Sequence, residues 1–83
     1  MAKTIHSTDH VKLRELLRYE RKSRDLTQHD IAQRLQVYKS YVTKYETGER
    51  RIDVIEYLAI AKAIGCDPYE LLRQLNGISA DSS

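Results

Sequence analysis

Residues 26–51 read LTQHDIAQRLQVYKSYVTKYETGERR, and this stretch decides the fold of the chain. Thr27 can accept a hydrogen bond from a free amide of a first helical turn, and Asp30 stands three residues later as the reciprocal partner of a capping box. The sequence therefore predicts that a helix begins at Thr27. One apolar stripe at helical period follows, formed by Ile31, Ala32 and Leu35. The small residue in this stripe indicates that a second helix crosses the first one closely.

A bend is predicted at residues 36–38, and the second helix after it. Val42 and Tyr45, at positions i and i+3, continue the inward-facing side of that helix. Gly48 is expected to end the helix, because glycine adopts a positive φ without steric cost. The outward-facing side carries four polar residues, Lys39, Ser40, Thr43 and Lys44. An exposed loop with Glu49, Arg50 and Arg51 follows.

A fixed-spacing pattern begins at Leu26: L-T-Q-x-x-[apolar]-A-x-x-L-x-V-x-x-S-x-V-[ST]-x-[apolar/aromatic]-E-x-G-x-R. The pattern resembles the lambda-repressor and Cro-like helix-turn-helix family, also called the xenobiotic-response-element family, and the resemblance extends over residues 11–75. It implies an all-α fold, a compact five-helix bundle in which helices 2 and 3 form the helix-turn-helix unit. It also implies that the second motif helix, the recognition helix, reads double-stranded DNA.

Two sets of DNA contacts follow from the resemblance. Residues at the start and on the outward side of the recognition helix match positions that reach base edges: Tyr38, Lys39, Ser40, Thr43 and Lys44. Gln28, Arg50 and Arg51 match positions that contact phosphates. Tyr41 joins the phosphate set, because an aromatic hydroxyl near the front of this helix can bond a phosphate. For Tyr38 and Tyr41 an ordinary surface position stays open as the alternative.

Three residues depart from the family pattern. Gln36 stands where a glycine is usual, and Tyr38 stands where a Ser or Thr would cap the recognition helix, so we expect this helix start to be poorly satisfied. Arg21 and Glu46 match positions that form a partly buried, structural ion pair in some members. Glu20 occupies a commonly apolar position, and we expect it to compete with Glu46 for Arg21.

Length and composition limit the alternatives. The chain has 83 residues, of which 41% are hydrophobic and 31% charged. These values favour one soluble domain, too small for a deep catalytic cleft, so no enzyme is expected. No apolar run reaches the roughly 18 residues of a membrane span. The N-terminus lacks the apolar core of a signal peptide, and the single Cys66 cannot form an internal disulfide, so we expect a cytoplasmic protein. The family resemblance implies a bacterial or phage origin.

The three histidines are scattered along the chain, and no spacing resembles a zinc site. Neither a metal nor another cofactor is therefore expected.

Charge is distributed unevenly, which is more informative than the net charge of +2. Residues 1–51 hold 12 Lys and Arg against 7 Asp and Glu, whereas residues 52–83 hold 2 against 5. The half that carries the motif is thus positive, as a protein that docks on phosphates requires.

We expect the chain to divide into a flexible N-terminal arm at residues 1–8, a DNA-binding domain at 9–77 and a disordered tail at 78–83. The first helix is expected to run from Asp9 or His10 to Arg24. Asp67, Pro68 and Glu70 begin a last helix that Gly77 ends.

A fourth helix is predicted from a second capping box, Asp53 with Glu56, to Ile64 and Gly65. Its core stripe is predicted to be Val54, Tyr57, Leu58, Ala61 and Ile64. Ile55 and Ala59 lie on a different side, where a dimer contact and ordinary core packing are the two interpretations.

One such domain makes few base contacts, so the sequence predicts a homodimer that represses transcription from a palindromic operator. A restriction-modification controller, and an antitoxin or other module that binds a protein partner, remain the alternatives.

Overall fold

The computed structural model describes residues 8–76 of the chain. Five α-helices follow one another: α1 (Thr8–Ser23), α2 (Gln28–Leu35), α3 (Lys39–Thr47), α4 (Val54–Ile64) and α5 (Pro68–Asn76). No strand occurs in these residues, and the predicted all-α, five-helix architecture is confirmed. The predicted tail lies outside the described residues, and so does the predicted arm except for Thr8, with which α1 begins. Asp9 is therefore part of the first turn of α1 and does not precede it.

All five helices contribute to one core. The helix α2 packs against α3 and α4, and α1 packs against α3, α4 and α5. The fully buried apolar side chains include Leu17, Ile31, Val42, Tyr45, Ile60, Ile64 and Leu71. Because α3 is held by buried residues from one side only, its other side is left on the surface of the domain.

Complete capping boxes begin α2 and α4. The Thr27 hydroxyl accepts from the Asp30 amide at 3.0 Å, and Asp30 accepts from the Thr27 amide at 2.8 Å. In the same way Asp53 accepts from the Glu56 amide at 2.7 Å, and Glu56 accepts from the Asp53 amide at 3.1 Å. The Thr27 amide and hydroxyl hold the pKa of Asp30 below its ordinary value. Both helix starts predicted from the sequence are therefore satisfied.

The turn between α2 and α3 contains two local departures from good helix-end chemistry. Gln36 has φ +60°, in the left-handed region that favours glycine. Tyr38 precedes α3 without a side-chain capping bond. At the other end of α3, Gly48 has φ +91° and lies so close to the Arg14 guanidinium that a Cβ would approach the Arg14 Cζ atom to 2.8 Å. Glycine is thus favoured at position 48 by its backbone conformation, and a Cβ there would displace the Arg14 guanidinium.

The orientation of α4 differs from the sequence prediction. Val54 is 69% exposed and Leu58 is 39% exposed, so assigning them to the core was wrong. Ile55 and Ala59 are also exposed, which rules out the core interpretation for them. The buried side consists of Tyr57, Ile60, Ala61, Ala63 and Ile64. Because α4 is apolar nearly all round, its periodicity alone did not determine which side faces inward.

Candidate nucleic-acid interface

A buried ion pair joins α1 to α3. The Arg21 side chain donates from Nε to Glu46 Oε2 at 2.8 Å and from Nη2 to Glu46 Oε1 at 3.1 Å. Its third nitrogen donates to the Leu26 carbonyl at 2.8 Å. The two side chains are only 8% and 4% exposed. A buried charge pair with this bidentate geometry fixes the position of α3 strongly, because separating the partners would leave an uncompensated charge.

Two polar side chains extend this ion pair to α2. The Gln28 amide nitrogen donates to Glu46 Oε1 at 2.9 Å, and the Gln28 amide oxygen accepts from the Thr43 hydroxyl at 2.8 Å. We call the four residues Arg21, Glu46, Gln28 and Thr43 the bracing network. The network connects α1, α2 and α3 behind the outward side of α3. It therefore sets the angle at which α2 presents α3.

Glu20 does not compete for Arg21, contrary to the expectation from the sequence. Its carboxylate pairs at 2.6 Å with Arg24, which directly follows the last residue of α1. Arg24 also donates to the Gly65 carbonyl at 3.3 Å. Adjacent residues on a helix point about 100° apart, so Glu20 lies along the surface of α1 while Arg21 points into the domain.

The outward side of α3 is polar and cationic. Tyr38 is 86% exposed at its start, and Lys39, Ser40 and Lys44 are exposed along it. Neither ammonium group is paired with a carboxylate within residues 8–76. Thr43 lies on the same side but is half-buried, since its hydroxyl is turned toward Gln28. The structure thus leaves Tyr38 exposed before α3 and Lys39, Ser40 and Lys44 exposed along it, whereas the Thr43 hydroxyl is already engaged.

A shallow groove runs where the start of α2 meets the start of α3. Lys22 and Lys39 line it from α1 and α3, and Gln28 and His29 line it from the first turn of α2. Asp25 is its acidic member. The free N–H groups of a helix start and two ammonium groups together favour an anion. The sequence places Lys22 on the charged side of the first helix, but its proximity to Lys39 could not be predicted, because it depends on how α1 packs against α3.

A second cluster lies where the chain turns from α3 into α4. The Arg50 guanidinium lies over the Tyr41 ring, 4.7 Å from its centroid, and forms an ion pair with Glu56. Burial opposes ionisation of Glu56, but the Asp53 amide and Arg50 outweigh it and lower the pKa of Glu56. Burial raises the pKa of Tyr41. We call Tyr41, Arg50 and Glu56 the corner cluster; Arg51 lies next to it and is exposed.

Sequence reasoning included Tyr41 and Arg50 but missed Glu56 as part of this site. Its position three residues after Asp53 indicated a capping role only. The second carboxylate oxygen is brought to Arg50 by the course of the loop between α3 and α4, which no periodic pattern specifies.

Two other features, a membrane-spanning helix and a metal-binding cluster, do not occur in residues 8–76. No helix within residues 8–76 is long and apolar enough to cross a membrane. In the same range, no three His, Cys, Asp or Glu side chains are grouped so that they could hold a metal ion. Cys66 is half-buried, and burial raises the pKa of its thiol.

A short helix with a cationic outer side, presented by a preceding helix across a tight turn, defines a helix-turn-helix DNA-binding unit. The family model described as "Helix-turn-helix" matches residues 17–71. An XRE-family like protein from Pseudomonas syringae pv. tomato is 40% identical, with a TM-score of 0.84 over 90% of this chain and 92% of that chain. The chain belongs to the XRE-type helix-turn-helix family, and it is a DNA-binding transcriptional regulator.

Two further solved structures are similar. The restriction-modification controller protein C.AhdI from Aeromonas hydrophila is 33% identical, with a TM-score of 0.67 over 74% of this chain and 92% of that chain. The clp gene regulator ClgR from C. glutamicum is 21% identical, with a TM-score of 0.72 over 84% and 91% of the two chains. At this lower identity ClgR supports the fold alone. No match was found among curated proteins.

Proposed function

We propose that the protein binds a palindromic DNA site as a homodimer and represses transcription from the promoter that contains this site. The observation that carries the proposal is the presence of two unlike surfaces on one rigid domain. One is the cationic outer side of α3, and the other is the apolar outer side of α4. The cationic side of α3 can bind in the major groove of DNA, and the apolar side of α4 can pack against the same side of a second copy of the chain.

Base reading is assigned to α3. Lys39 and Lys44 have ammonium groups suited to the O6 and N7 acceptors of guanine, and Ser40 can bond to several bases. The Thr43 hydroxyl is engaged with Gln28, so Thr43 contributes mainly by shape. Tyr38, at the groove entrance, can contact a thymine methyl. Two lysines on this side predict at least one G·C pair in each half-site.

Phosphate contacts are assigned to residues on both sides of α3. Gln28 donates one amide hydrogen to Glu46, which leaves its second amide hydrogen and its backbone N–H for a phosphate. On the other side, Tyr41, Arg50 and Arg51 would contact the opposite strand of the groove. Contacts of this kind fix the register of a recognition helix but carry no sequence information themselves.

The outer side of α4 is assigned to the dimer contact. Four apolar residues share this side, Val54, Ile55, Leu58 and Ala59. Ile55 is 74% exposed. A two-fold contact uses the same patch on both copies, which an apolar helix side permits. Dimerisation would double the base contacts and set half-sites about 34 Å apart, one helical turn. A dimer bound at a promoter represses by occluding polymerase.

Selection of duplexes from a random pool tests the proposal. The purified protein at moderate salt is expected to enrich a palindrome with G·C pairs in both half-sites. Failure to enrich any sequence would contradict sequence-specific binding, and enrichment of a single unrepeated half-site would contradict the homodimer.

Two matched variants isolate the dimer contact. Ile55→Asp places a charge on the outer side of α4, and Tyr69→Asp places one on α5, where Tyr69 is 68% exposed. Both residues are the second of their helix, where an acidic side chain is favourable. Sedimentation should show a monomer for Ile55→Asp and an unchanged dimer for Tyr69→Asp. Equal sedimentation of the two variants would remove α4 from the interface.

The similarity to C.AhdI supports a second candidate, a restriction-modification controller. Transcription in vitro from a promoter that contains the selected palindrome distinguishes the two. Repression supports the first proposal, whereas activation supports the controller.

A further inference from the structure

The corner cluster contains a carboxylate that the proposed DNA contacts leave unused. We infer that Glu56 is a positioning residue for a phosphate contact: it holds the Arg50 guanidinium against the Tyr41 ring, so that Arg50 meets a DNA phosphate already ordered. The inference rests on the proposed function, because it assumes that Arg50 faces DNA.

Glu56 is itself fixed in place. One carboxylate oxygen accepts from the Asp53 amide at 3.1 Å, as part of the capping box of α4. The other oxygen forms the ion pair with Arg50. A side chain that is held by a helix start has little freedom to move, and it can therefore hold a second side chain in one orientation.

Arg50 is ordered from three directions. Its guanidinium lies over the Tyr41 ring and contacts Glu56. Its backbone amide donates to the Lys44 carbonyl at 3.2 Å, as do the amides of Gly48 at 3.1 Å and Glu49 at 2.9 Å. The Arg50 side chain nevertheless remains 43% exposed. An arginine has five N–H donors, so a guanidinium that uses some of them on Glu56 keeps others for a phosphate.

Pre-ordering matters because arginine loses much rotational freedom when it binds. A ligand contact made by a side chain that is already immobile avoids that loss. The opposite role for Glu56 is equally concrete: a carboxylate next to Arg50 could neutralise it and keep it from DNA. The two roles predict opposite signs for the coupling between positions 50 and 56.

A double-mutant cycle measures that sign. Wild type, Arg50→Ala, Glu56→Gln and the double variant are titrated with one random-sequence duplex at several salt concentrations. Glutamine preserves the capping box, since either Glu or Gln serves at that position, while it removes the charge that holds Arg50. Thermal unfolding of each variant checks that the domain is folded.

In the wild-type background, Arg50→Ala should weaken binding roughly tenfold, the loss expected for one charge-assisted bond. The slope of log affinity against log salt should become shallower by about 0.9. In the Glu56→Gln background the same substitution should weaken binding by a clearly smaller factor. An equal or larger factor there would overturn the inference, and so would an Arg50→Ala variant with unchanged affinity and slope.

Asp53→Asn is the matched control for charge. It removes one negative charge from the same turn and keeps a good capping residue. Arg50→Ala should have its full effect in the Asp53→Asn background. If Asp53→Asn reduced that effect as much as Glu56→Gln does, general electrostatics and not positioning would be responsible. If wild type bound no duplex at all, the proposed function itself would fail.

Discussion

The start of α3 and the starts of its two neighbours are built differently. Both α2 and α4 begin with a complete capping box. The helix α3 begins after Tyr38, which makes no capping bond and is 86% exposed, and two residues earlier Gln36 adopts a left-handed conformation. The helix assigned to the DNA thus has a weaker local start than α2 or α4.

The difference shows where the stability of α3 originates. Val42 and Tyr45 on the inner side of α3 are buried in the core. The bracing network holds Glu46, which lies near the end of α3. The helix is therefore fixed from its inner side and not from its first turn. Functional sites often break a local rule that is compensated elsewhere in the fold. The exposed Tyr38 in place of a capping residue, compensated by the inner-side support of α3, is such a case.

The largest effect is expected when the inner support is removed. Glu46→Ala leaves the Arg21 guanidinium buried without its partner, and the free energy of unfolding should fall by about 3–5 kcal/mol. Denaturant unfolding measures the change. Glu20→Ala breaks the more exposed pair with Arg24 and should cost about 0–1 kcal/mol. Similar values for the two variants would mean that α3 does not depend on the bracing network.

A smaller loss is expected at a capped start. Thr27→Ala removes the hydroxyl that accepts from the Asp30 amide, and such a change costs about 1 kcal/mol. The midpoint of chemical denaturation should shift to lower denaturant with an unchanged slope. An unaltered midpoint would show that the capping box adds no stability beyond the tertiary contacts of α2. The capped start of α2 and the uncapped start of α3 would then not differ in their contribution to the free energy of unfolding.

Adding a capping residue to the uncapped start of α3 should raise the stability of the domain. Tyr38→Ser supplies the missing capping oxygen, so the free energy of unfolding should rise by about 0.5–1 kcal/mol. Affinity for the selected duplex should fall, because the aromatic ring is lost. Tyr38→Ala, which removes the ring without adding a cap, is the control: it should lose the same affinity without gaining stability. If Tyr38→Ser kept full affinity, Tyr38 would not be a DNA contact.

The sequence was sufficient to predict the parts of the fold that depend on neighbouring residues. Thr27 with Asp30 and Asp53 with Glu56 are local pairs, and the structure contains both bonds of each box. The five helices also follow from apolar periodicity. The predicted base and phosphate contacts stay predictions, because a free domain does not reveal how it docks on DNA.

What could not be predicted depends on how elements pack. The orientation of α4 was wrong at Val54 and Leu58, since a helix that is apolar on both sides gives no single stripe. The second bond of Glu56 depends on the path of a loop that brings Arg50 back toward α4. The expectation that Glu20 competes for Arg21 was wrong because Glu20 and Arg21, adjacent on α1, point about 100° apart, and Glu20 pairs with Arg24 instead.

An equally small gain in stability is expected at Gln36, and it tests the comparison between the helix starts directly. A left-handed residue other than glycine costs about 1–2 kcal/mol, whereas a new glycine makes the unfolded chain more flexible and offsets roughly half of this. Gln36→Gly should therefore stabilise the domain by about 0.5–1 kcal/mol. Gln33→Gly, inside α2, should instead destabilise it by about 1 kcal/mol. Changes of opposite sign in the free energy of unfolding would show that the strain lies in the turn itself. Equal losses of stability in the two variants would mean that Gln36 is not strained. The weak start of α3 would then be due to Tyr38 alone.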